Sequence, residues 1–245
     1  MAEDKISENI EEYLEVLYRN GSNGEQVSTT TLSKDLGIAP GSVTQMLKKL
    51  ESLGYIEYTP YKGATLTNEG MQIAQKITRK HRILEKFLMD ILKIKEENIH
   101  EQACEMEHTL SDEAERALCT MLNNPDVCPG DNIIPACNFD FESCSDCYSQ
   151  KDFDQVMNRK FNLLSISELT SNAEGTISFI RGSNELLDDI AALDIKVGCH
   201  LSYEFNENPN RNNYMVTIDN RELDIPIEMA NNIFILKMQE YHDFF

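Results

Sequence analysis

Apolar residues recur at helical spacing through the first half of the chain, and strand-like stretches follow in its last third. The helical spacing predicts a first helix over residues 7–20, a long helix from Asn68 to about Lys93, and further helices from Glu97 and after Ser111. The strand-like stretches are GTISFI, GCHLSYEF, YMVTID and IFILKM, and one short helix lies among them. The pattern therefore predicts a mainly helical chain with a smaller β-rich part at its end.

Between the first and the long helix, the sequence contains the start and stop signals of two short helices. Ser28 is placed to cap a helix that runs to Leu36, and Gly37 is placed to end it. Pro40 stands near the start of the next helix, where its missing N–H group costs nothing. Two helices joined by a tight turn that contains glycine predict a helix-turn-helix.

Two short strands are predicted after this pair of helices, over residues 55–60 and 64–67, and they would add a wing that carries Lys62. The second helix of such a unit enters the major groove of DNA with its first residues near the base edges. Those residues are Ala39, Pro40, Gly41, Ser42, Thr44 and Gln45. Lys48 and Lys49 are better placed for phosphates. Winged helices also bind proteins, so the pattern alone leaves both kinds of partner open.

Metal-binding residue types are concentrated on the predicted helices that follow the wing. The potential ligands are His81, Glu85, His100, Cys104, Glu107 and His108. The spacing of His100, Cys104 and His108 is i, i+4, i+8, which places them on one helical stripe. Imidazole, thiolate and carboxylate groups on one face are typical ligands of first-row transition metals rather than of Mg²⁺ or Ca²⁺. The alternative is that these are core or partly buried residues with ordinary partners.

The same stretch, HRILEKFLMDIL followed by IHEQACEMEHTLSDEAERAL, resembles the metal-binding and dimerisation segment of the diphtheria toxin repressor family. These proteins are iron- or manganese-dependent transcription regulators of bacteria and archaea. GSVTQMLKKLESLGYI resembles the recognition helix of that family. Gly41 stands where members carry Pro and Ala39 where they often carry Ser, which affects the expected operator sequence rather than DNA binding itself.

The resemblance implies two metal sites and adds ligands from the first helix, where Glu12 and Glu15 align with ligand positions. The first expected site is Glu12, Cys104, Glu107 and His108, and the second includes His81, Glu85 and His100. Cys104 is a soft ligand and favours Fe²⁺, whereas the hard carboxylate of Glu12 favours Mn²⁺. We expect Fe²⁺ as the activating metal, with Mn²⁺ as the alternative. Co²⁺, Ni²⁺ or Zn²⁺ should substitute in vitro, since their affinity for such ligands is higher.

The resemblance also implies an architecture of three domains. A winged helix-turn-helix is expected over residues 1–75, a helical metal-binding and dimerisation domain over 76–125, and an SH3-like barrel over 161–245. A Cys-containing linker would fill 126–160. The expected function is a repressor of metal-uptake genes that binds a palindromic operator in double-stranded DNA as a homodimer.

Four cysteines, Cys128, Cys137, Cys144 and Cys147, lie within the expected linker, and the last two form a C-x-x-C pair. Such a set can hold a structural metal ion, act as a redox or disulfide pair, or consist of inert thiols. Only one pair has the spacing typical of a zinc knuckle. The sequence therefore leaves these three interpretations open.

Composition and charge limit the remaining possibilities. The net charge is −20, yet residues 26–67 contain four lysines against three acidic residues, so this segment is free of the acidic background that would repel DNA. No apolar run is long enough to span a membrane and the N-terminus is acidic, so a cytoplasmic protein is expected. No small-molecule substrate is expected. The alternatives are a helical metalloenzyme with an accessory winged helix and a metal-independent regulator with vestigial ligands.

Overall fold

The computed structural model describes residues 6–21, 26–150, 156–205 and 212–237. The chain divides into two compact units, Met1–Ser111 and Asp112–Phe245. The predicted fold class is confirmed, because a winged helix-turn-helix and a helical part precede a strand-rich part. The predicted domain boundaries are finer than this division and stay predictions. No helix within the described ranges is long and apolar enough to cross a membrane.

Three helices open the first unit: α1 (Glu8–Asn20), α2 (Thr29–Leu36) and α3 (Pro40–Ser52). The Ser28 side chain accepts a hydrogen bond from the backbone N–H of Thr31, so it caps α2 as predicted. Gly37 ends α2 in the left-handed conformation, with φ +67°, and Pro40 is the first residue of α3. Ser7 precedes α1, but its side chain forms no capping hydrogen bond. The turn of the helix-turn-helix is therefore defined by three local signals: Ser28 at the start of α2, Gly37 at its end and Pro40 at the start of α3.

The wing is a two-stranded antiparallel hairpin of β1 (Ile56–Thr59) and β2 (Gly63–Leu66). Tyr61 lies in the hairpin turn with a φ of +66° and is fully exposed. Gly63 also has a positive φ, +135°, and a Cβ there would lie 2.3 Å from the backbone oxygen of Val27. This position therefore requires glycine for two reasons, conformation and close approach.

The metal-binding residue types of the sequence lie on α4 (Asn68–Asp90) and α5 (Glu96–Glu107). The side chain of Thr67 caps α4 by accepting from the N–H of Gly70. Just after α5 ends, the backbone oxygen of Leu110 accepts a hydrogen bond from Lys80 Nζ of α4 at 2.5 Å.

The core of the winged helix is formed by apolar residues of α1, α2, α3 and the wing, including Leu14, Leu17, Leu32, Val43, Leu47 and Leu50.

Gly70 marks a close contact between α4 and the start of the wing, and its replacement by alanine should be strongly destabilising. A Cβ at this position would lie 1.9 Å from the backbone oxygen of Tyr55. We expect Gly70→Ala to lower the free energy of unfolding by about 2 kcal/mol or more, because backbone cannot yield cheaply. Urea unfolding would measure this. Gly41→Ala in α3 is the matched control, since no atom beyond its chain neighbours and its own helix backbone lies within 4 Å of the added Cβ.

The second unit contains the remaining helices α6 (Asp112–Met121), α7 (Cys144–Ser149), α8 (Asn184–Ala192) and α9 (Ile227–Asn232). Its strands are β3 (Leu164–Ser165), β4 (Ala173–Ile180), β5 (His200–Tyr203), β6 (Asn213–Ile218), β7 (Arg221–Pro226) and β8 (Ile233–Lys237). The described strands form one antiparallel sheet in the order β3-β8-β4-β5-β6-β7. Asp219 and Asn220 form the predicted hairpin turn, both with positive φ. Met238, which ends the fourth predicted strand, lies outside the described residues.

The segment expected to be a linker contributes core residues to the second unit. Three of its side chains, those of Ala136, Phe139 and Cys144, pack against Phe179 of β4 and Phe234 of β8. The expectation for this segment was a linker. Its burial could not be seen in the sequence, because the apolar residues are scattered among polar ones and carry no helical or strand period. Residues 126–150 are thus a folded layer on the sheet.

Arg181, which follows β4, is 1% exposed and ties this layer to the sheet. Its Nη1 donates to the backbone oxygen of Ile134 at 2.6 Å, and its Nη2 donates to that of Asn231 at 2.9 Å. Its Nε donates to Asn232 Oδ1 at 2.7 Å, and its guanidinium lies 4.9 Å from the ring centroid of Phe234. A buried charge is thereby surrounded by three acceptors from two distant parts of the chain.

Candidate metal centre and DNA-binding surface

His81 of α4 is a buried histidine that contacts four potential ligands. Its Nδ1 lies 2.6 Å from Glu107 Oε2, and its Nε2 lies 3.0 Å from Glu85 Oε1. The same Nε2 lies 3.0 Å from His100 Nδ1. Cys104 Sγ lies 3.8 Å from His81 Nδ1 and 3.9 Å from His100 Nε2. The helical stripe predicted on α5 therefore faces the predicted pair on α4.

A second set of contacts joins α5 to α1. His108 Nδ1 lies 2.7 Å from Glu11 Oε2, and His108 Nε2 lies 3.4 Å from Glu107 Oε1. Glu15, one turn after Glu11, offers an oxygen that lies within 4.8 Å of ligand atoms of His81 and Glu107. We call the residues of both sets the His/Cys/Glu cluster, namely Glu11, Glu15, His81, Glu85, His100, Cys104, Glu107 and His108.

The charges in this cluster are strongly coupled. Burial lowers the pKa of His81, but its hydrogen bonds with Cys104, Glu107 and Glu85 outweigh burial and raise the pKa to about 12. Burial raises the pKa of Glu107, and the hydrogen bond from His81 opposes that rise. These contacts favour the protonated form of His81, whose charge opposes the repulsion between the carboxylates around it.

The donor set fits a transition metal. Within the described residues, two groups of three bring their ligand atoms within 4.8 Å of one another, and His81 belongs to both. One group adds His100 and Cys104, and the other adds Glu15 and Glu107. Nitrogen, sulfur and carboxylate oxygen together suit Fe²⁺, Mn²⁺, Co²⁺, Ni²⁺ or Zn²⁺. Such an ion would find negative charge on a buried carboxylate and a half-buried thiolate. Together with an imidazole, these groups can replace its water ligands.

Seven of the eight predicted ligands lie in or at this cluster, and Glu12 lies outside it. Glu12 is exposed, and the α1 carboxylate that contacts His108 is that of Glu11. The resemblance aligned Glu12 with a ligand position, and Glu11 lies one residue earlier and so about 100° away around the helix. A signal for Glu11 was present in the sequence, because Glu11 and Glu15 are spaced i, i+4 and share one face of α1.

The predicted DNA-contacting residues are accessible on the first unit. All nine are exposed except Thr44, which is half-buried and donates from Oγ1 to the backbone oxygen of Pro40 at 2.9 Å. Lys48 and Lys49 are exposed in the second half of α3, and Lys62 is exposed in the turn of the wing. Val43, Leu47 and Leu50 fill the opposite, buried face. Helix α3 can therefore be approached along its polar side.

The cysteines of residues 126–150 do not assemble a metal site. No three of the four have sulfurs within 4.8 Å of one another in the described part of the chain. Cys128, Cys137 and Cys144 are buried, and Cys147 is half-buried. The metal interpretation of this segment therefore finds no support in the geometry, whereas the redox and inert interpretations remain.

A winged helix-turn-helix joined to a cluster of metal-binding residues is the combination found in metal-dependent transcription regulators. Residues 5–64 match the family described as iron dependent repressor, N-terminal DNA binding domain. Residues 67–136 match the family described as iron dependent repressor, metal binding and dimerisation domain. The chain belongs to the iron-dependent repressor family, a family of metal-dependent DNA-binding transcriptional repressors. This excludes the metalloenzyme alternative, because members of the family are not enzymes.

Individual relatives agree with this assignment. The chain is 46% identical over 109 residues to a helix-turn-helix transcriptional regulator of Methanocaldococcus jannaschii, which covers 44% of this chain and 87% of that protein. It is 30% identical over 132 residues to the iron-dependent repressor IdeR of Mycobacterium tuberculosis, with 54% of this chain and 57% of that protein covered. It is 32% identical over 102 residues to the regulator MntR of Oceanobacillus iheyensis, with 42% and 69% covered.

Among solved structures, the manganese regulator SloR aligns with 95% of this chain and 100% of its own, at 25% identity and a TM-score of 0.48. IdeR of T. acidophilum aligns with 93% and 97%, at 22% identity and a TM-score of 0.47.

Proposed function

We propose that this protein is an Fe²⁺-activated repressor of metal-uptake genes that binds a palindromic operator as a homodimer. The observation that carries the proposal is the His/Cys/Glu cluster, which joins α1 of the DNA-binding region to α4 and α5. Its ligands are Glu11, Glu15, His81, Glu85, His100, Cys104, Glu107 and His108, with Glu12 as the alternative to Glu11. Mn²⁺ is the alternative metal.

The cluster can control DNA binding because its residues belong to different helices. Glu11 and Glu15 move with α1, whereas Glu107 and His108 move with α5. A bound divalent cation would supply positive charge between these carboxylates. Glu107 contacts His81 through Oε2 and His108 through Oε1, so this carboxylate links α4 to the end of α5. The arrangement of α1 is therefore tied to the protonation and contacts of the cluster, and ligands that bind one arrangement more tightly shift the population toward it.

Cys104 supports Fe²⁺ over Mn²⁺. Its thiol is the soft donor in a set otherwise made of imidazole nitrogen and carboxylate oxygen, and thiolate favours Fe²⁺. The carboxylates Glu11, Glu15 and Glu107 act in the other direction, since hard oxygen ligands suit Mn²⁺. Higher-affinity ions such as Co²⁺, Ni²⁺ and Zn²⁺ should also activate in vitro, so activation alone does not identify the metal used in the cell.

An incompletely covered apolar face supports the homodimer. The apolar residues of α6 and its flanks are half-buried or exposed rather than buried, and Met121 is 60% exposed. They are Leu110, Ala114, Ala117, Leu118, Met121 and Leu122. In a two-fold dimer, this face of one copy covers the same face of the other copy. The dimer also places two recognition helices on one duplex, and the two helices would read the two halves of a palindrome.

The decisive experiment measures anaerobic DNA binding to the promoter upstream of the protein's own gene, with chelator, Fe²⁺ and Mn²⁺ in parallel. Binding that appears only with metal supports the proposal, and the half-effect concentrations rank the two ions. Binding that is unchanged by the chelator would instead support a metal-independent regulator with vestigial ligands. Sedimentation of the free and DNA-bound protein tests the dimer.

Lys48→Ala should weaken operator binding without changing its sequence preference. The exposed Lys48 is placed for phosphates, and each lost phosphate contact reduces the salt dependence of binding by about one unit of slope. Fluorescence anisotropy at several salt concentrations would measure both effects. Lys95→Ala is the control, since Lys95 is also exposed but lies before α5. An unchanged salt slope in Lys48→Ala would remove this lysine from the interface.

A further inference from the structure

Helix α7 carries two thiols one turn apart in different surroundings. Cys144 is 6% exposed and packs among Phe139, Phe179 and Phe234. Cys147 is half-buried and lies three residues later, so both thiols occupy neighbouring positions on the helix surface. The two members of the C-x-x-C pair are thus chemically distinct.

Arg116 of α6 reaches the sulfur of Cys147. Its Nε donates to Cys147 Sγ at 3.2 Å, and its Nη2 donates to the backbone oxygen of Gln150 at 2.5 Å and to that of Cys147. The guanidinium stays charged at all accessible pH values. A fixed cation at hydrogen-bond distance stabilises the thiolate over the thiol, and the thiolate is the nucleophilic form of cysteine.

Cys144 has the opposite environment. Burial raises the pKa of its thiol to about 12, so this sulfur stays protonated and does not react first. It is nevertheless placed to react second. Residues spaced i, i+3 on a helix have Cβ atoms about 5–6 Å apart, and a disulfide needs about 3.5–4.5 Å. The disulfide therefore requires a local change in the backbone of α7, which is a helix of six residues.

We propose that Cys147 is a site of oxidation by hydrogen peroxide, with Cys144 as the thiol that resolves it into an intrahelical disulfide. The Cys147 thiolate attacks one peroxide oxygen, an S–O bond forms, the O–O bond breaks, and hydroxide leaves. Cys144 then attacks the Cys147 sulfur, an S–S bond forms, the S–O bond breaks, and the oxygen leaves as water with the Cys144 proton. Two thiols are oxidised and the peroxide is reduced to water.

This inference is independent of the proposed function, because it involves neither the His/Cys/Glu cluster nor the DNA-binding surface. Its structural effect is local. In the disulfide, the Cys147 sulfur loses its negative charge and becomes a weak acceptor for Arg116 Nε. One of the contacts that hold α6 to α7 is thereby weakened by oxidation.

The test treats the reduced full-length protein with hydrogen peroxide in the presence of a chelator and locates the oxidised sulfurs by mass spectrometry. The expected product has lost two hydrogen atoms and contains a Cys144–Cys147 disulfide. In Cys144→Ser, dimedone should instead trap a sulfenic acid on Cys147. In Cys147→Ser, neither product should form at these positions. A first oxidation at Cys104 or another thiol, with Cys147 unmodified, would overturn the proposal.

The role of Arg116 is tested separately by the rate of oxidation. Arg116→Gln should slow the modification of Cys147 by roughly tenfold, because the thiolate fraction sets the rate and the neighbouring cation raises that fraction. Arg116→Lys keeps the charge and should retain most of the rate, which a purely structural role would not predict. Arg221→Gln, at an exposed arginine, is the control. Equal rates in Arg116→Gln and the unmodified chain would contradict the assignment.

Discussion

Glu107→Gln is expected to abolish metal-dependent operator binding while leaving the fold intact. Glu107 is 1% exposed and contacts both His81 and His108, so it stands between the two halves of the cluster. Glutamine has nearly the same shape but no charge to offer a cation. Loss of a residue that merely supports ligands reduces metal affinity by about 10–100-fold, so loss of a ligand should cost at least the upper end of that range.

Anaerobic anisotropy titrations with Fe²⁺ and Mn²⁺ would measure this effect. Glu101→Gln is the matched control, because Glu101 lies exposed on the same helix. Full metal response in Glu107→Gln would remove the residue from the site. The same assay decides between the two carboxylates of α1. Glu11→Gln should lose the response and exposed Glu12→Gln should keep it if the contact with His108 marks the ligand. The resemblance predicts instead that Glu12→Gln loses the response.

Arg181→Ala is expected to lower the free energy of unfolding by about 3–5 kcal/mol, the range typical of breaking a buried charged network. The substitution leaves the backbone oxygens of Ile134 and Asn231 without these donors and opens a cavity beside Phe234. Arg181→Met restores most of the volume but none of the hydrogen bonds, so the difference between the two variants isolates the cavity.

Urea unfolding of the full chain, followed by circular dichroism, would measure these changes. Arg221→Ala is the control, since the side chain of Arg221 is 44% exposed and lies 3.8 Å from an exposed aspartate. Surface changes of this kind stay within about 0.5 kcal/mol. A change in Arg181→Ala no larger than that of the control would mean that the layer of residues 126–150 is held by its apolar contacts alone.

The sequence predicted those parts of the fold that local signals determine. The helix-turn-helix was predictable because its start and stop signals, Ser28, Gly37 and Pro40, each act within four residues of their own position. The ligand stripe of α5 was predictable for the same reason, since helical spacing fixes which side chains share a face. The ligand assignments themselves stay predictions until metal binding is measured.

The contacts of Arg181 could not be predicted, because its partners lie 47 to 51 residues away in the chain. Nothing near Arg181 in the sequence indicates a buried guanidinium. The folded state of residues 126–150 was hidden for a related reason. Phe139 and Cys144 have no periodic neighbours, and their burial depends on a sheet formed by residues that follow much later.

The contacts of the cluster form an unbroken line from solvent to the first helix. His100 is exposed, and from it the line runs through His81 and Glu107 to His108 and ends at Glu11, with separations of 3.0, 2.6, 3.4 and 2.7 Å. Each contact in this line shares a residue with the next one, so a change at His100 can reach α1 through side-chain contacts rather than through the backbone. The first helix of the winged helix is thus linked by side chains to a residue that solvent reaches.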